Sequence, residues 1–442
     1  MRYDGTFVSG CCPGLFAKCM AERLPSGLSG SKGGIRMKIS GIVCEYNPFH
    51  NGHAYHIAKT RENGATHIVA VMSGNFVQRG DAAVLGKLTR AQIAVASGAD
   101  LVLELPVAYS LAPAELFARG AVFLLRGLGC VEELSFGSEC GDPARLSQAV
   151  KASVSCGKSD AMHQLLREGL PYPRAMRRLV LEEYGEELAQ VFDGPNNLLA
   201  VEYLKAMIYL GAKLQPFTVP RKSAMHDMLE GHDGSIASAS FIRSCIEENG
   251  EYDELVPSLT ARALAQAGSS GCIGRLSNLE RLILYRLRTV TQQELEGQFE
   301  MGPGLDGRIL GARNSNSLDE ALHAIKTKRY PMARIRRLLL CLLIGLRKED
   351  LQTPPPYGRV LALNERGCEI LAAAKGKSTI PFATSLAKLG EISPQARRYA
   401  ELEARAADVY GLATRCITSS EQEYRAKITL TPPQEQETTE QE

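Results

Sequence analysis

Between residue 37 and about residue 221 the chain alternates short apolar runs with stretches of helical period. Residues 39–43, 67–73 (HIVAVMS), 100–105 (DLVLEL), 133–136 and 213–219 read as strands rich in Val, Ile and Leu. Residues 54–61, 88–97, 114–125 and 144–154 place apolar side chains at helical spacing. Near-continuous apolar strands separated by helices predict a parallel, doubly wound sheet, because helices cover both of its faces. Residues 161–184 are also helical and carry Arg174, Arg177 and Arg178. From about residue 252 the pattern turns to helices, with amphipathic stretches at 276–287 and 317–325. Residues 357–367 and 384–387 read as packed or turn segments. The expected architecture is α/β: a Rossmann-like parallel sheet domain over 37–250, then a mostly α-helical domain over 251–420. Residues 1–36 are rich in Gly, Ser and Cys without periodicity and read as a disordered extension ahead of a plausible start at Met37. The rival reading, a targeting peptide, lacks a continuous apolar core. Residues 421–442 end in Pro, Thr, Gln and Glu and read as a disordered tail.

The stretch 39–56 (ISGIVCEYNPFHNGHAYH) organises the rest. An apolar run ends in a loop with Pro48 and Gly52, and a helix opens at His53. His50, Gly52 and His53 form an H-x-G-H spacing at a strand-to-helix turn, the context in which that motif points to a nucleotide site. Gly52 lets backbone approach a ligand, and the helix start aims free N–H groups at an anion. Two imidazoles three residues apart suit an anion whose charge grows during reaction. The plain alternative is that both histidines only cap and pack. In parallel sheets ligands sit beyond the carboxyl ends of the strands, where the loops 47–53, 73–81 (SGNFVQRGD) and 137–139 are expected to meet. Asn196 and Asn197 follow Pro195 and precede a helix, so either is a candidate cap. Residues 235–243 (SIASASFIR) are a second phosphate-type signal, with Ser238 or Ser240 at a helix start and Arg243 one turn in. An ordinary Ser cap with a solvated Arg is the alternative.

Composition narrows the class. With 45% hydrophobic and 23% charged residues over 442 positions, the chain is an ordinary globular protein with room for two or three domains. Net charge is +2, so any nucleic-acid surface must be local. The 12 cysteines are scattered and form no C-x-x-C, which speaks against a zinc ribbon or a disulfide framework and for a reduced, cytoplasmic protein. The longest apolar run, 338–346, is too short to span a bilayer. Gly376-Lys377-Ser378 ends like a P-loop, but its first glycine position is Leu371. No R-x-x-G-x-G/A acetyl-CoA loop is present.

Local charge is concentrated in 326–346 (KTKRYPMARIRRLLLCLLIGL). Lys326, Lys328, Arg329, Arg334, Arg336 and Arg337 surround Tyr330, and the second half is apolar. A helix of this kind can plant its apolar end in a bundle and offer its basic end to RNA phosphates, with the aromatic nearby. A solvated face beside a buried helix is the alternative.

Taken together, GIVCEYNPFHNGH, MSGNFVQRGD, SFGSE, PNN, SIASASFIR and TKRYPMARIRRLLL resemble the bacterial tRNA(Met) cytidine acetate ligase family, from residue 37 to about 367. The resemblance implies activation of acetate by ATP as acetyl-adenylate, followed by acetylation of N4 of the wobble cytidine of elongator tRNA(Met). Carried over by position, it places the ATP loop on Val43, Cys44, Glu45, Tyr46, Asn47, Pro48, Phe49, His50, Asn51, Gly52, His53, Ala54, Tyr55 and His56. Further ATP contacts fall on Gly137, Asn196 and Arg221, although the segment Arg221–Asp227 is one residue shorter than the family's pattern. His50 and His53 are expected at the reacting phosphates, with Ser238 and Arg243 closing over the phosphate chain. Mg²⁺ is expected to bridge the phosphates, with no protein ligand named. Two other classes share parts of this pattern: a small-molecule adenylyltransferase, and a non-catalytic RNA-binding protein on a nucleotide-binding fold.

Overall fold

The structure is a computed structural model that describes residues 36–221, 236–428 and 430–431. The expected extension up to residue 35, Lys222–Asp227, Ser235 and the tail beyond residue 431 lie outside the described residues.

A seven-stranded sheet runs in the order β7-β6-β1-β2-β5-β8-β9. Its strands are β1 (Ile39–Cys44), β2 (His67–Ser73), β5 (Leu101–Leu105), β6 (Glu133–Ser138), β7 (Gln215–Pro220), β8 (Gly358–Leu363) and β9 (Phe382–Ala383). A small hairpin, β3 (Phe76–Val77) and β4 (Asp81–Ala82), projects from the end of β2. Pairing is parallel from β7 through β5. The chain winds outward from β1 to β2 to β5, then returns to place β6 on the other side of β1. That reversal beside β1 opens a crevice at the carboxyl ends of β1 and β6, where an open α/β sheet binds ligands.

Helices α1 (Asn51–Glu62) and α2 (Lys87–Ala96) cover one face through Ile57, Ile93 and Ala94. Helices α3 (Ala114–Gly127), α4 (Pro143–Gly157) and α5 (Pro195–Leu210) belong to the core of the opposite face. Close approach fixes one glycine: a Cβ at Gly41 of β1 would stand 2.6 Å from the Leu125 side chain of α3. Helix α6 (Ala239–Glu248) contributes Ile242 and Ile246 to the same core as α1.

The second half is mostly helical, as expected, with two differences. Residues 357–367, expected as a packed or turn segment, are packed as a strand: β8 joins the sheet antiparallel to β5 through Leu101↔Leu363 and Glu104↔Arg359. The core of the later helices, including α7 (Met332–Ile344) and α8 (Pro394–Gly411), is continuous with the α3 face of the sheet, so apolar burial does not break at residue 250. The tail expectation also began too early. Gln422–Arg425 is a short helix, and Glu423 is buried against Lys87 and Arg359. Composition alone conceals that, because a single carboxylate meeting two buried cations ties the segment down.

Candidate active site

The site begins where β1 ends. Tyr46 adopts a left-handed conformation with φ 48, and a cis peptide joins Asn47 to Pro48. This turn folds Tyr46 and Phe49 beneath the first helical turn, with the Tyr46 ring edge-on to His53 at 4.8 Å between centroids.

His50 is the N-cap of α1. Its Nδ1 accepts the Gly52 backbone N–H at 3.0 Å, while His53 Nδ1 accepts the His50 backbone N–H at 3.2 Å. Two histidines thus form a reciprocal capping box, with their rings 3.7 Å apart. Gly52 has a role beside the one expected: a Cβ there would stand 2.9 Å from His50 Cε1 and 3.0 Å from Nδ1. Glycine makes room for the imidazole. His56, one turn on, meets the Ser135 hydroxyl of β6 at 2.8 Å, and Thr60 bonds the same hydroxyl at 2.7 Å.

Burial pushes the His50 imidazole down to about 3, helped by the Arg221 and Arg243 guanidiniums. His53 is pushed well below its ordinary value by burial, then by His50, Arg221 and His56. His56 falls to about 4, through burial and then Arg221. All three rings are neutral at pH 7. A neutral ring whose Nδ1 accepts a backbone N–H carries its proton on Nε2, so His50 and His53 each retain one Nε2–H donor.

The loops that leave β1 and β2, two of the three expected at the site, meet. Glu45 Oε1 accepts the Gln78 backbone N–H at 2.7 Å, and Asn47 Oδ1 accepts the Val84 backbone N–H at 2.8 Å. Arg90 of α2 is fully buried and donates to the carbonyls of Glu45, Ser73, Gly74 and Leu85. One guanidinium therefore ties together the loops that leave β1 and β2. Sequence reading missed it, although a charged residue in register with Ile93 and Ala94 on the apolar stripe of α2 was the available signal.

Arg221 follows β7 and lies against Gly137 at the end of β6, where a Cβ would be 3.4 Å from its Cγ. Its Nη1 donates to Asn196 Oδ1 at 2.9 Å. Neither Asn196 nor Asn197 caps α5 with its own side chain. Glu139 does so, accepting the backbone N–H groups of Asn196 at 3.0 Å and Asn197 at 2.6 Å. Ser238 is the N-cap of α6, accepting the Phe241 N–H at 3.2 Å. Arg243 reaches back to the Asn47 carbonyl at 2.8 Å, so it sits against the β1 turn rather than in open solvent.

The basic segment divides. Helix α7 starts at Met332 with Pro331 as its N-cap, so Lys326, Lys328 and Arg329 precede the helix and are exposed. Tyr330 is buried, with its hydroxyl on the Pro303 carbonyl at 3.0 Å, and offers no stacking face. Arg334 stacks over Tyr330 at 4.8 Å and bonds the Glu300 carbonyl. Arg337 is buried in a two-pronged contact with Glu300. Arg336 is half-buried, and its charge draws down the Asp81 carboxyl, which burial raises overall. Arg337 is therefore committed to the Glu300 carboxylate inside the fold, whereas Arg334 is half-buried and meets the Glu300 carbonyl, so the basic stretch expected to face RNA is not uniformly exposed. Among the described residues no group of three or more His, Cys, Asp or Glu side chains is arranged to hold a metal, and no helix is long and apolar enough to cross a membrane.

Residues 37–425 match the HIGH Nucleotidyl Transferase family. A tRNA(Met) cytidine acetate ligase from Alkaliphilus metalliredigens is 36% identical over 408 residues, spanning 86% of this chain and 95% of that protein. A ligase of the same name from a Thermoanaerobacter species is 37% identical, over 85% of this chain and 96% of that protein. The crystal structure of Thermotoga maritima TmcAL bound with alpha-thio ATP superposes with a TM-score of 0.81 at 29% identity, covering 89% of this chain and 100% of that one.

Proposed function

Because the chain belongs to the tRNA(Met) cytidine acetate ligase family, we propose that it activates acetate with ATP as acetyl-adenylate and transfers the acetyl group to N4 of the wobble cytidine of elongator tRNA(Met). The observation that carries this reading is the His50–His53 pair at the start of α1, with both rings neutral, the Arg221 charge acting on both and the Arg243 charge on His50.

An acetate oxygen attacks the α-phosphorus while the bond to the bridging oxygen breaks and pyrophosphate leaves with its electron pair. Charge collects on non-bridging and leaving oxygens, so positioning and electrostatics do most of the work. The two Nε2–H groups donate to those oxygens, and the α1 N-terminus adds backbone donors. Asn47, Arg243 and the β1 turn hold one side of the triphosphate; Gly137, Asn196 and Arg221 line the other, and Ser238 fixes the start of the helix that carries Arg243. Mg²⁺ fits as an ion held by the triphosphate and water, which is its usual mode with nucleotides; it would neutralise phosphate charge.

In the second step N4 attacks the acetyl carbonyl, AMP leaves with the electron pair of the C–O bond, and N4 loses one proton. The mixed anhydride is already activated, so this step needs a cytidine taken out of its stack and delivered. Exposed Lys326, Lys328 and Arg329 are assigned to tRNA phosphates, with Arg336 at the boundary. A tRNA substrate also puts the protein in the cytoplasm.

The test is nucleoside analysis of tRNA(Met) after incubation with the protein, ATP and labelled acetate. Label in N4-acetylcytidine, dependent on ATP, is the expected result. AMP transfer to a small phosphorylated acceptor would favour an adenylyltransferase, and tRNA binding without ATP turnover would leave an RNA-binding protein.

A further inference from the structure

The hairpin β3–β4 lies between the β1 turn and α7. Gln78, at its tip, uses both backbone polar groups on side chains from opposite directions. Its N–H goes to Glu45 Oε1 at 2.7 Å, and its carbonyl accepts Arg337 Nη1 at 3.0 Å. Arg337 is held in turn by Glu300, through Nε at 2.8 Å and Nη2 at 2.7 Å. Gly80, with φ +74, lets the hairpin lie flush on α7: a Cβ there would stand 2.5 Å from the Arg337 backbone nitrogen and 2.6 Å from Arg336 Cβ. The result is a continuous chain of contacts, Glu300–Arg337–Gln78–Glu45, from the helical half to the turn that carries His50 and His53.

We propose that Arg337 is a positioning residue for the first half-reaction: anchored by Glu300, it presses the Gln78 hairpin against Glu45 and so fixes the ATP loop. The proposal rests on the reading of residues 43–56 as the ATP loop. Its physical basis is that Glu45 belongs to an irregular turn, which regular secondary structure does not hold. The Gln78 N–H donates to the Glu45 carboxylate, so the position of the hairpin sets the position of that carboxylate. A misplacement of about 1 Å in such a site costs on the order of a hundredfold in rate. Arg337 is buried and each of its three nitrogens donates inside the protein, which argues against reading its replacement as the removal of a phosphate partner.

The experiment uses the full chain without tRNA and follows acetate-dependent ATP–pyrophosphate exchange, together with tRNA affinity at several salt concentrations. Arg337→Gln is the principal variant, and Glu300→Gln, which keeps an acceptor for Arg337 but removes its charge, is the milder one. Exchange kcat per folded molecule should fall on the order of tenfold to a hundredfold in Arg337→Gln and less in Glu300→Gln. The salt slope of tRNA binding should be unchanged in both. If Arg337→Gln does not fold, Glu300→Gln decides the matter by the same readout. Normal exchange in a folded variant, with the tRNA salt slope reduced by about 0.7, would make Arg337 a phosphate-binding residue and overturn the proposal. Absence of exchange in the unaltered protein would instead overturn the functional reading beneath it.

Discussion

His53 Nδ1 accepts the backbone N–H of His50 at 3.2 Å, so the second histidine of the motif holds the first in place while both keep Nε2–H for a ligand. Capping and the proposed catalytic role thus share one arrangement. Replacing either residue by Ala should lower exchange by about 3 kcal/mol of transition-state stabilisation, the usual worth of one preorganised donor. His50→Asn separates the roles, because Asn is a good N-cap. It should recover the thermal stability that His50→Ala forfeits and leave exchange low. Exchange recovering together with stability would mean that the ring serves only as a cap.

Gly52→Ala tests the same arrangement from the backbone side. The added Cβ would meet His50 Cε1 at 2.9 Å, so the imidazole must turn away. Far-UV circular dichroism should be unchanged while exchange falls to the level of His50→Ala. Retained exchange would show that the ring position is not what matters.

The histidines also give stability a pH dependence. An unfolded imidazole protonates near 6.5, whereas His50 and His56 resist until about 3 and about 4. Between those values the unfolded chain binds protons that the folded chain does not. Stability is therefore complete above about pH 6.5 and falls as pH drops toward 4, by up to about 1.4 kcal/mol per pH unit for each ring. Urea midpoints taken from about pH 7.5 down to 4.5 should show this slope, and His50→Asn should make it shallower. Identical slopes in parent and variant would remove His50 from the effect.

A buried ionic cluster joins the sheet to the end of the chain. Lys87 contacts Glu104 and lies 2.6 Å from Glu423, and Arg359 lies 3.2 Å from Glu104. Burial, and then Glu104, push the Glu403 carboxyl well up from its ordinary value. That direction favours the neutral form, which Gln mimics, so Glu403→Gln should cost less than Glu423→Ala, which leaves Lys87 and Arg359 to share Glu104 and should cost about 3–5 kcal/mol. Chemical denaturation of the two variants checks the contrast, and equal destabilisation would contradict it.

Lys326, Lys328 and Arg329 are exposed, so their replacement by Ala should spare the fold. If they meet tRNA phosphates, binding should weaken and its log–log salt slope should flatten by about 0.7 for each phosphate no longer neutralised. Pyrophosphate exchange should stay at the parental level. An unchanged slope would return this segment to the status of a solvated face.

The parallel sheet and the strand–turn–helix that carries His50, Gly52 and His53 were legible in the order of residues alone. Both are local statements: apolar strand runs, helical periodicity and a glycine turn are written within a few neighbouring residues. The family resemblance followed from the same short motifs. Folding in three dimensions fixed what depends on partners far along the chain. Arg334 and Arg337 looked like free positive charge, yet Glu300, more than thirty positions earlier, claims both. Glu423 looked like part of a polar tail until Lys87 and Arg359 met it. Residues 358–363 had no visible reason to be a strand until β5 offered its open edge. A buried charge or an edge strand is stable only when its complement is present, and that complement is supplied by the fold rather than by neighbouring sequence.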